Sequence, residues 1–596
     1  MREYSVPTLV DVPATANCTD TVFERADDDP GMVIIRRKTG AEWAAVTARE
    51  FRDQVAGVAK GLIAAGVEPG DRVALMSRTR YEWTVADYAI WAAGGVSVPI
   101  YETSSPDQIA WILSDSGATR IFVETPAHEE SVRQVLGDLP EVKDVWCLET
   151  GALDDLAAAG SEVADETVTE RRTARGGADL ATIIYTSGTT GRPKGCKLTH
   201  DNLLFTARNV IAGPLEQLFE VRGRAALLFL PLAHSFARLI QIVLIETGTV
   251  IGHTPNMKNV APDLQSFKPT FLLGVPRVFE KVYNTAEQKA SAEGKGRIFH
   301  AAVDTAIAWS RAESSGGAGL GVRVKRAVFD RLVYAKLRAA TGGALSAAVC
   351  GGSALGERLG HFFRGIGIEV FEGYGLTETS APSTVNMPGA NKIGTVGKPL
   401  PGVSLKIGED GEVLVRGRHI FAGYWNNDEA TAEVFEDGWF RTGDVGEIDA
   451  DGYLRITGRK KEILVTAGGK NIAPAPLEDV IRAHPLVSQA MVVGDDRPFV
   501  AAIVTLDPEA LEQWKAANGK GSATLAELAH DPAILAEVQK AVDNANRTVS
   551  RAESIKKFVV LESDMTEESG HLTPTLKVKR NLVMRDFAKE IDSLYS

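Results

Sequence analysis

The chain has 596 residues, of which 44% are hydrophobic and 24% charged, and its formal net charge at pH 7 is −13. This length is too great for a single hydrophobic core, and the composition is that of a globular rather than a disordered protein. The negative charge argues against a nucleic-acid partner, because nucleic-acid binders need a positively charged surface.

The cysteines and the N-terminal segment bear on the cellular compartment. Cys18, Cys147, Cys196 and Cys350 form no CxxC pair, so neither a zinc site nor a disulfide framework is expected. The N-terminus lacks the apolar stretch of a signal peptide. The most apolar segment, which begins at Ala225, is interrupted by proline and by polar and charged residues, so we do not expect it to span a membrane. These features predict a cytoplasmic protein in a reducing compartment.

Residues 68–124 alternate between short apolar segments and helical patterns. Strands are predicted over Arg72–Ser77, Val96–Ile100 and Thr119–Glu124, with the helical segments EWTVADYAIWAAGG and SPDQIAWILSDSG between them. Ser105 is the expected N-cap of the second helix, and Pro106 is its first residue. This β-α-β-α-β order predicts a parallel sheet with helices on its faces.

A further buried strand is predicted over Ala181–Ser187, and it continues into the loop YTSGTTGRPKG (Tyr185–Gly195). The glycines, hydroxyls and cations of this loop suit an anion, and α/β sheets bind ligands where a strand ends. It is not a Walker A loop, because Pro193 precedes Lys194 and the glycine follows the lysine. A flexible linker is the alternative, but linkers do not usually follow a buried strand. The sequence therefore predicts a phosphate-binding loop of another type.

The C-terminal part of the chain has a different pattern. After DADGYLRITGRKKEIL come a helical segment at 474–484, apolar strands at 487–493 and 499–507, and a polar helical stretch over Pro508–Ser554. This order predicts a smaller α+β domain. The pattern breaks near Gly458–Lys461, so we expect a large domain over residues 1–459 and a small one over 460–596.

The loop at 185–195 closely resembles the phosphate-binding motif of the acyl-adenylate-forming enzymes, which include acyl-CoA synthetases, luciferase and the adenylation domains of peptide synthetases. Four more segments resemble motifs of that superfamily, in its order: GYGLTETS (Gly373–Ser380, adenine and magnesium), GWFRTGD (Gly438–Asp444, ribose), GRKKEILVTAGGKNIAP (Gly458–Pro474, hinge) and LTPTLKVKR (Leu572–Arg580, catalytic lysine). The resemblance implies an α/β fold, with parallel-sheet subdomains in a large N-terminal domain and a small mobile C-terminal α+β domain.

The resemblance also implies a chemistry. A carboxylate is a poor acyl donor, and conversion to a mixed anhydride with AMP, with pyrophosphate leaving, makes it reactive. In-line attack on the α-phosphorus needs cations around both the attacking and the departing oxygens. The residues that would bind the β- and γ-phosphates are Thr186, Ser187, Gly188, Thr189, Thr190 and Lys194. Thr189 and Glu378 would contact Mg²⁺.

A second group of residues would form the ATP/AMP pocket, with Tyr374 stacked on adenine and with Asp444 and Arg459 on the ribose. Its members are Gly352, Ser353, Glu372, Gly373, Tyr374, Gly375, Thr377, Asp444 and Arg459. Gly352 and Ser353 belong to GGSAL (Gly351–Leu355), which is also similar to the phosphopantetheine site of a carrier protein. Because we expect this segment inside the large domain, just before a strand, we assign it to the adenine pocket.

Lys577 aligns with the catalytic lysine of the superfamily, which reaches the carboxylate and the α-phosphate. The commonest pattern has glycine before this lysine, whereas this chain has Leu576. Lys579 is the alternative, because residues two apart lie on one face of an extended strand and geometry does not choose between them. Without the resemblance, the segment would be a solvated basic turn.

Within the superfamily, Lys268–Tyr283, the helical segment that follows it to Leu337, and Lys392–Val403 resemble long-chain fatty-acyl-CoA synthetases. The implied activity is AMP-forming ligation of a long-chain fatty acid to CoA, with Mg²⁺ as cofactor and ATP and CoA as co-substrates. Lys461 would be the hinge. Gly468, Gly469 and Lys470 would line the path of CoA, and His234 would lie at the mouth of the acyl tunnel, a core histidine being the alternative.

Two other functions fit the same motifs: a catalytically inactive binder of fatty acids or acyl-adenylates, and an adenylating enzyme that passes the acyl group to a separate carrier protein. The segment Val322–Arg338 carries six cations and one aspartate. Such a helix either lies on an anionic membrane surface, as a peripheral contact, or is a solvated charged face. The sequence gives no indication of the oligomeric state.

Overall fold

The fold is that of a computed structural model, which describes residues 1–186, 192–221, 223–467, 470–551, 553–573 and 576–596. The strands of these residues are β1 (Glu3–Ser5), β2 (Val33–Thr39), β3 (Glu42–Thr47), β4 (Arg72–Met76), β5 (Val96–Ile100), β6 (Arg120–Val123), β7 (Asp144–Cys147), β8 (Leu180–Thr186), β9 (Lys194–Thr199), β10 (Ala225–Leu228), β11 (Val250–His253), β12 (Phe271–Gly274), β13 (Ala347–Cys350), β14 (Glu369–Leu376), β15 (Ala381–Val385), β16 (Lys398–Pro399), β17 (Ser404–Ile407), β18 (Glu412–Arg416), β19 (Phe435–Glu436), β20 (Trp439–Ile448), β21 (Leu454–Arg459), β22 (Leu464–Val465), β23 (Asn471–Ile472), β24 (Val487–Val493), β25 (Ala501–Leu506) and β26 (Lys557–Val560).

The helices of the same residues are α1 (Asp20–Asp28), α2 (Ala48–Ala64), α3 (Tyr81–Ala92), α4 (Pro106–Ser116), α5 (Pro126–Arg133), α6 (Ala152–Ala159), α7 (Asp165–Thr173), α8 (His200–Ile211), α9 (Glu216–Phe219), α10 (Ser235–Thr247), α11 (Val260–Phe267), α12 (Pro276–Ala292), α13 (Gly296–Ser314), α14 (Leu320–Phe329), α15 (Ala335–Ala340), α16 (Glu357–Ile366), α17 (Asp428–Glu433), α18 (Ala475–Arg482), α19 (Pro508–Ala517), α20 (Leu525–Ala529), α21 (Pro532–Asn546), α22 (Arg580–Asp586) and α23 (Ala588–Ser593). A π-helical turn, Asp330–Tyr334, joins α14 to α15.

The first sheet has the strand order β7-β6-β4-β5-β8-β9, and all its pairs are parallel except β8 with β9. The predicted strands β4, β5, β6 and β8 are confirmed, and so is the parallel pairing. Helix α4 begins as predicted: the Ser105 hydroxyl accepts from the Gln108 N–H, Gln108 bonds back to the Ser105 N–H, and Pro106 is the first helical residue. The antiparallel partner β9 was not predicted.

The second sheet has the order β16-β15-β14-β13-β12-β10-β11-β2-β3. Its middle strands, from β14 to β2, run parallel, and the strands toward both edges are antiparallel. The GYGLTETS segment lies at the carboxyl end of β14, just as the phosphate loop lies at the carboxyl end of β8. A third sheet is antiparallel, with the order β1-β17-β18-β20-β19, and β21 pairs with β20.

A buried ion pair joins the first sheet to the helices that cover it. Arg238 of α10 and Asp87 of α3 are both fully buried, with Nε of the arginine 3.1 Å from Oδ2 of the aspartate. The same guanidinium donates to the hydroxyls of Thr182 in β8, at 2.5 Å, and of Ser97 in β5. One side chain thus connects two helices and the two neighbouring strands β5 and β8.

The C-terminal part has the predicted α+β character. It contains the hairpin β22–β23 and the sheet β24-β25-β26. The helix predicted at 474–484 is α18, and the two apolar strands are β24 and β25. The polar stretch after them contains α19, α20 and α21. These predictions are confirmed.

One local prediction was wrong. The GGSAL segment follows the strand β13 and precedes helix α16, so it does not lie just before a strand. The chain turns here through Gly352 and Gly356, whose φ angles are +89° and +82°. Such values are accessible to glycine without strain, and they redirect the chain from the strand into a helix.

Within the described ranges, we find no helix that combines the length and the apolar character needed to cross a bilayer.

Candidate active site

The phosphate loop connects β8 to β9, with Thr186 and Lys194 directly opposite each other at its base. The Lys194 side chain is exposed, and its Nζ lies 5.0 Å from the centre of the Tyr424 ring. On the other side, the Trp111 Nε1–H of α4 donates to the Pro193 carbonyl at 2.9 Å. These contacts hold both flanks of the loop. The predicted residues Ser187, Gly188, Thr189 and Thr190 lie outside the described residues.

Glu378 lies in the short turn that follows β14. The Tyr424 hydroxyl donates to its Oε1 at 2.9 Å, and the Phe421 N–H donates to its carbonyl at 2.8 Å. Burial and the neighbouring Glu378 raise the pKa of Tyr424, so the phenol stays protonated and remains a donor. Tyr424 also forms a β-bridge with Cys196 of β9. One aromatic side chain therefore contacts both Glu378 and Lys194.

The sequence analysis missed Tyr424. It lies in HIFAGYWNND (His419–Asp428), which carries none of the five motifs. Its place depends on the bridge to Cys196, which is distant in the chain. No local pattern indicates that bridge.

Asp444 is the centre of the predicted ribose site. It is buried, with 3% of its surface exposed. The Tyr374 hydroxyl donates to its Oδ2 at 2.7 Å, and the Arg459 Nε–H donates to its Oδ1 at 2.8 Å. Asp444 and Arg459 are directly opposite each other on β20 and β21, so the strand pairing itself brings the charges together. The structure thus unites the three residues that the sequence assigned to adenine and ribose.

The close approach of strand β15 explains why glycines lie on both sides of Tyr374. A Cβ on Gly375 would lie 1.5 Å from the Ala381 carbonyl oxygen, and one on Gly373 would lie 3.0 Å from the Thr384 oxygen. Strand β15 therefore approaches too closely for a side chain at 375. An additional close approach of adenine stays a prediction.

Other predicted pocket residues cluster around the end of β14. The Leu355 N–H donates to Glu372 Oε1 at 2.8 Å, and burial raises the pKa of Glu372 to about 7. Thr377 is buried, with its hydroxyl 3.2 Å from that of Ser235. Gly352 and Ser353 are exposed in the turn before α16.

His234 caps helix α10, where its Nδ1 accepts from the Phe236 N–H at 3.2 Å. Burial, together with the positive charge of Lys577, lowers the pKa of His234 to about 4. The imidazole is therefore neutral at pH 7. Its neighbour Ser235 contacts Thr377, which places His234 beside the turn that carries Glu378.

Lys577 of the C-terminal part reaches the same cleft. Desolvation of the ammonium by the protein around it lowers the pKa of Lys577, and the positive charge of Arg459 lowers it further, while the carboxylates of Asp444 and Glu378 raise it. The ammonium therefore lies among the nucleotide-site charges of the large domain.

The backbone directly before Lys577 departs from a regular strand. Leu576 has φ of +60°, and the Leu576 N–H donates to the Thr573 carbonyl at 2.8 Å. After Leu576 the chain pairs antiparallel with residues 571–573: the Thr573 N–H donates to the Lys577 carbonyl at 2.8 Å, and Leu572 forms a β-bridge with Val578. Residue spacing therefore does not choose between Lys577 and Lys579, as expected from the sequence. The Lys579 N–H donates to the His571 carbonyl at 2.8 Å, and Lys579 is the residue before the first turn of α22, without a side-chain capping bond. The left-handed backbone also gives a reason for the glycine that the superfamily usually has at position 576.

Ion pairs hold the C-terminal part against the large domain. Arg277 of α12 lies 2.6 Å from Asp507, and Lys281 lies 3.0 Å from Glu509. Both acids are at the start of α19. These contacts accompany the orientation in which Lys577 faces the cleft.

The predicted hinge and CoA residues lie elsewhere. Lys461 is exposed in the turn Lys460–Glu462, directly after β21. Lys470 pairs with Glu553 at 3.3 Å, inside the C-terminal part, and the structure does not bring it to Lys577. Gly468 and Gly469 lie outside the described residues.

The residues around Glu378 fit a nucleotide-borne Mg²⁺. Magnesium in such sites is usually held by one or two protein oxygens together with substrate phosphates. Glu378 supplies a hard carboxylate oxygen close to the Lys194 side of the loop. In the described ranges there is no group of three or more His, Cys, Asp or Glu side chains that could enclose a metal without substrate.

Comparison with known proteins agrees with this geometry. The family described as AMP-binding enzyme matches residues 22–425, and the family described as AMP-binding enzyme C-terminal domain matches residues 461–596. The chain is 52% identical to the long-chain-fatty-acid–CoA ligase FadD15 of Mycobacterium tuberculosis, over 100% of both chains.

Two solved structures are similar in fold. The A domain of carboxylic acid reductase from Segniliparus rugosus has a TM-score of 0.76 at 19% identity, covering 98% of this chain and 95% of that one. A fatty acyl CoA synthetase of Mycobacterium tuberculosis has a TM-score of 0.61 at 23% identity, covering 96% and 99%.

The contacts of Tyr424 generate a prediction about magnesium. Tyr424→Phe removes the hydrogen bond to Glu378 but keeps the ring beside Lys194. We expect the Mg²⁺ concentration for half-maximal ATP binding to rise roughly tenfold, the effect of losing a hydrogen bond to a charged group. Tyr424→Leu removes the ring as well and should further weaken ATP binding about two- to fivefold. Calorimetric titration with ATP at several Mg²⁺ concentrations measures both effects. An unchanged Mg²⁺ dependence in Tyr424→Phe would refute the role of the hydroxyl.

The backbone at Leu576 generates a second prediction. A left-handed conformation costs an L-residue about 1–2 kcal/mol, and it is least accessible to β-branched residues. Leu576→Gly should therefore keep or raise the rate of ATP–pyrophosphate exchange, whereas Leu576→Val should lower it at least about fivefold. Equal rates in the two variants would show that the left-handed conformation of residue 576 is not needed to place Lys577.

Proposed function

The chain belongs to the AMP-binding enzyme family, and on that premise we propose that it is an AMP-forming ligase of long-chain fatty acids and CoA. ATP and the fatty acid give an acyl-adenylate and pyrophosphate, and CoA then gives the thioester and AMP. The observation that carries this proposal is the 52% identity to a long-chain-fatty-acid–CoA ligase over the full length of both chains. The cleft shared by Lys194, Glu378, Asp444 and Lys577 supports it.

In the first half-reaction, Lys194 and the loop residues Thr186, Ser187, Gly188, Thr189 and Thr190 bind the β- and γ-phosphates. Glu378, together with Thr189, would hold Mg²⁺, which neutralises charge on the departing pyrophosphate when it is bound. Support for this comes from the carboxylate of Glu378, which is fixed by Tyr424 on the Lys194 side of the loop.

The nucleoside is bound by the residues around Asp444. The ribose hydroxyls donate to this carboxylate, whose orientation is fixed by Tyr374 and Arg459. The ring of Tyr374 stacks on adenine. The remaining pocket residues, which close the site around the base, are Gly352, Ser353, Glu372, Gly373, Gly375 and Thr377.

Lys577 stabilises the adenylation step itself. A fatty-acid carboxylate oxygen attacks the α-phosphorus, the new P–O bond forms, and the bond to pyrophosphate breaks. An ammonium about 4 Å from an oxygen that shares this charge contributes roughly 4 kcal/mol at an effective dielectric constant near 20. The charges that act on Lys577, from Asp444, Arg459 and Glu378, support a position at this step.

The thioester step requires another orientation of the small domain. We assign residues 1–459 to the large domain and 460–596 to the small one, with Lys461 as the hinge. Rotation breaks the Arg277–Asp507 and Lys281–Glu509 pairs, withdraws Lys577, and brings Gly468, Gly469 and Lys470 to the path of CoA. The CoA sulfur then attacks the acyl carbonyl and AMP departs. The neutral imidazole of His234 lies at the mouth of the acyl tunnel.

The enzyme works in the cytoplasm and contacts the inner surface of the membrane peripherally. Its fatty-acid substrates partition into bilayers, so such a contact would shorten the path from the substrate pool to the cleft.

A single assay series tests the function. Pyrophosphate release with ATP and palmitate, followed by CoA-dependent thioester formation across fatty acids of increasing length, should show both half-reactions. Adenylation without CoA-dependent turnover would point to a separate carrier protein as acceptor, and absence of pyrophosphate release would point to a binding protein.

The two lysines of LTPTLKVKR separate the half-reactions. Lys577→Ala should abolish ATP–pyrophosphate exchange but still convert supplied fatty-acyl-adenylate to the thioester. The matched variant Lys579→Ala should retain exchange, because the charge of Lys579 acts on Glu567, whereas that of Lys577 lies among Asp444, Arg459 and Glu378. Loss of exchange in Lys579→Ala alone would identify it as the catalytic residue.

The same lysine predicts a pH dependence. Adenylation needs the charged ammonium, and the pKa of Lys577 is lowered. Exchange should therefore fall on the alkaline side, as pH rises through that lowered pKa. Any residual rate in Lys577→Ala should lack this alkaline limb, and its persistence there would assign the limb to another group.

The hinge generates a further prediction. Lys461→Pro fixes φ near −65° and restricts rotation about this residue. Adenylate formation should stay within about twofold of wild type, while thioester formation falls at least about tenfold, as expected when a domain motion limits turnover. The control is Lys461→Ala, a substitution of the same exposed residue that leaves φ free, and it should behave as wild type. Equal loss of both half-reactions in Lys461→Pro would mean that residue 461 is only structural.

A further inference from the structure

The helical segment of α14, the π turn and α15 has an apolar stripe on its outward side. Leu320, Val324, Val328 and Leu332 recur at every fourth residue, and their exposed fractions are 80%, 56%, 52% and 53%. Residues spaced by four lie on one face of a helix. Single exposed apolar side chains are normal, but a contiguous row of large ones marks an interaction surface.

The inward side of the segment is packed independently. Phe329, Val333 and Leu337 pack against the hydrophobic core that α12, α13 and α16 share. Tyr334 is fully buried and donates to the Ala302 carbonyl at 2.6 Å. The helical segment is therefore held on the protein by the packing of its inner face. The outer stripe is not needed for that packing.

Cations accompany the outer stripe. Arg323, Lys325, Arg331 and Lys336 are all exposed. The structure gives none of these four a carboxylate within ion-pair distance among the residues that it describes, and the one acid of the segment, Asp330, pairs with Arg338 at 2.7 Å. This positively charged face belongs to a chain whose formal net charge at pH 7 is −13. The arrangement is therefore complementary to a negatively charged apolar surface.

We propose that the outward face of residues 320–336 docks the protein on the surface of an anionic lipid bilayer. Apolar side chains enter the boundary of the acyl region while flanking cations contact the lipid headgroups. A second copy of this chain is a poorer occupant in a symmetric pair, because the two cationic faces would repel each other. The proposal rests on the proposed function only for its purpose, which is access to a membrane-dissolved fatty acid.

The proposal has a measurable electrostatic signature. Each cation near an anionic bilayer strengthens binding by about fivefold at physiological ionic strength. Binding should therefore require anionic lipid and weaken as salt shortens the Debye length.

Vesicle flotation of the full chain tests the surface, with vesicles of phosphatidylcholine alone and of phosphatidylcholine with phosphatidylglycerol. Wild type should float only with the anionic vesicles. The charge variant Lys325→Glu/Lys336→Glu should lose at least about 25-fold in partitioning, from two cations at about fivefold each. The apolar variant Val324→Ser/Val328→Ser should also lose binding, but without a change in its salt dependence.

The matched control is Met584→Ser/Lys589→Glu, which makes the same kinds of change at exposed residues of α22 and α23. It should float as wild type. Thermal unfolding and ATP binding should be equal in all four proteins, because the substituted side chains point away from the core and the cleft.

The outcomes separate docking from catalysis. Wild type that does not bind anionic vesicles, or helix variants that bind as wild type does, would overturn the docking surface. A change of oligomeric state in the variants, seen by light scattering, would overturn it in favour of self-association. Ligase activity measured on the same wild-type sample in detergent solution reports on the proposed function separately, since docking can hold when ligation fails and the reverse.

Discussion

The buried pair of Arg238 and Asp87 is the interaction on which the site depends most. Its guanidinium bonds also to Thr182 and Ser97, so it ties α3 and α10 to the strands β5 and β8. Strand β8 ends in the phosphate loop, and α10 begins after His234. Removing one partner of a buried ion pair costs about 3–5 kcal/mol, because the other charge is left uncompensated in the interior. Two sides of the cleft are therefore fixed by the same buried charge.

The charged side chains of the cleft come from elements that are distant in the chain. Lys194 comes from the first sheet, Glu378 from the second, Asp444 and Arg459 from the third, and Lys577 from the C-terminal part. Both carboxylates are oriented by a tyrosine hydroxyl: Tyr424 donates to Glu378, and Tyr374 donates to Asp444. Groups fixed in this way need little reorganisation when the charge of the substrate changes during reaction.

The contact between the two domains is of the opposite kind. Lys281 and Glu509 are both largely exposed, and the Arg277–Asp507 pair is partly exposed. Exposed pairs contribute about 0–1 kcal/mol each, so such contacts define an orientation without making it permanent. Ion pairs of this kind suit a reaction in which one cleft serves two successive steps. The outward face of residues 320–336 lies outside the C-terminal part, so docking through it leaves the C-terminal part unattached to the membrane.

The sequence determined the parts of this protein that depend on local pattern. The parallel β-α-β-α-β unit, the Ser105 cap and the α+β character of the C-terminal part were evident from residue spacing, and the ordered motifs were evident from their resemblance to the acyl-adenylate-forming enzymes. The sequence did not reveal Tyr424, because its role depends on a bridge between segments far apart in the chain. Nor could residue spacing separate Lys577 from Lys579, because both lie on one short paired segment after the left-handed Leu576. The structure separates them by their surroundings: Lys577 lies among the charges of Asp444 and Glu378, whereas Lys579 acts on Glu567. Periodicity describes what neighbouring residues do together, and only the tertiary structure decides which distant segments meet and where the backbone departs from its regular form.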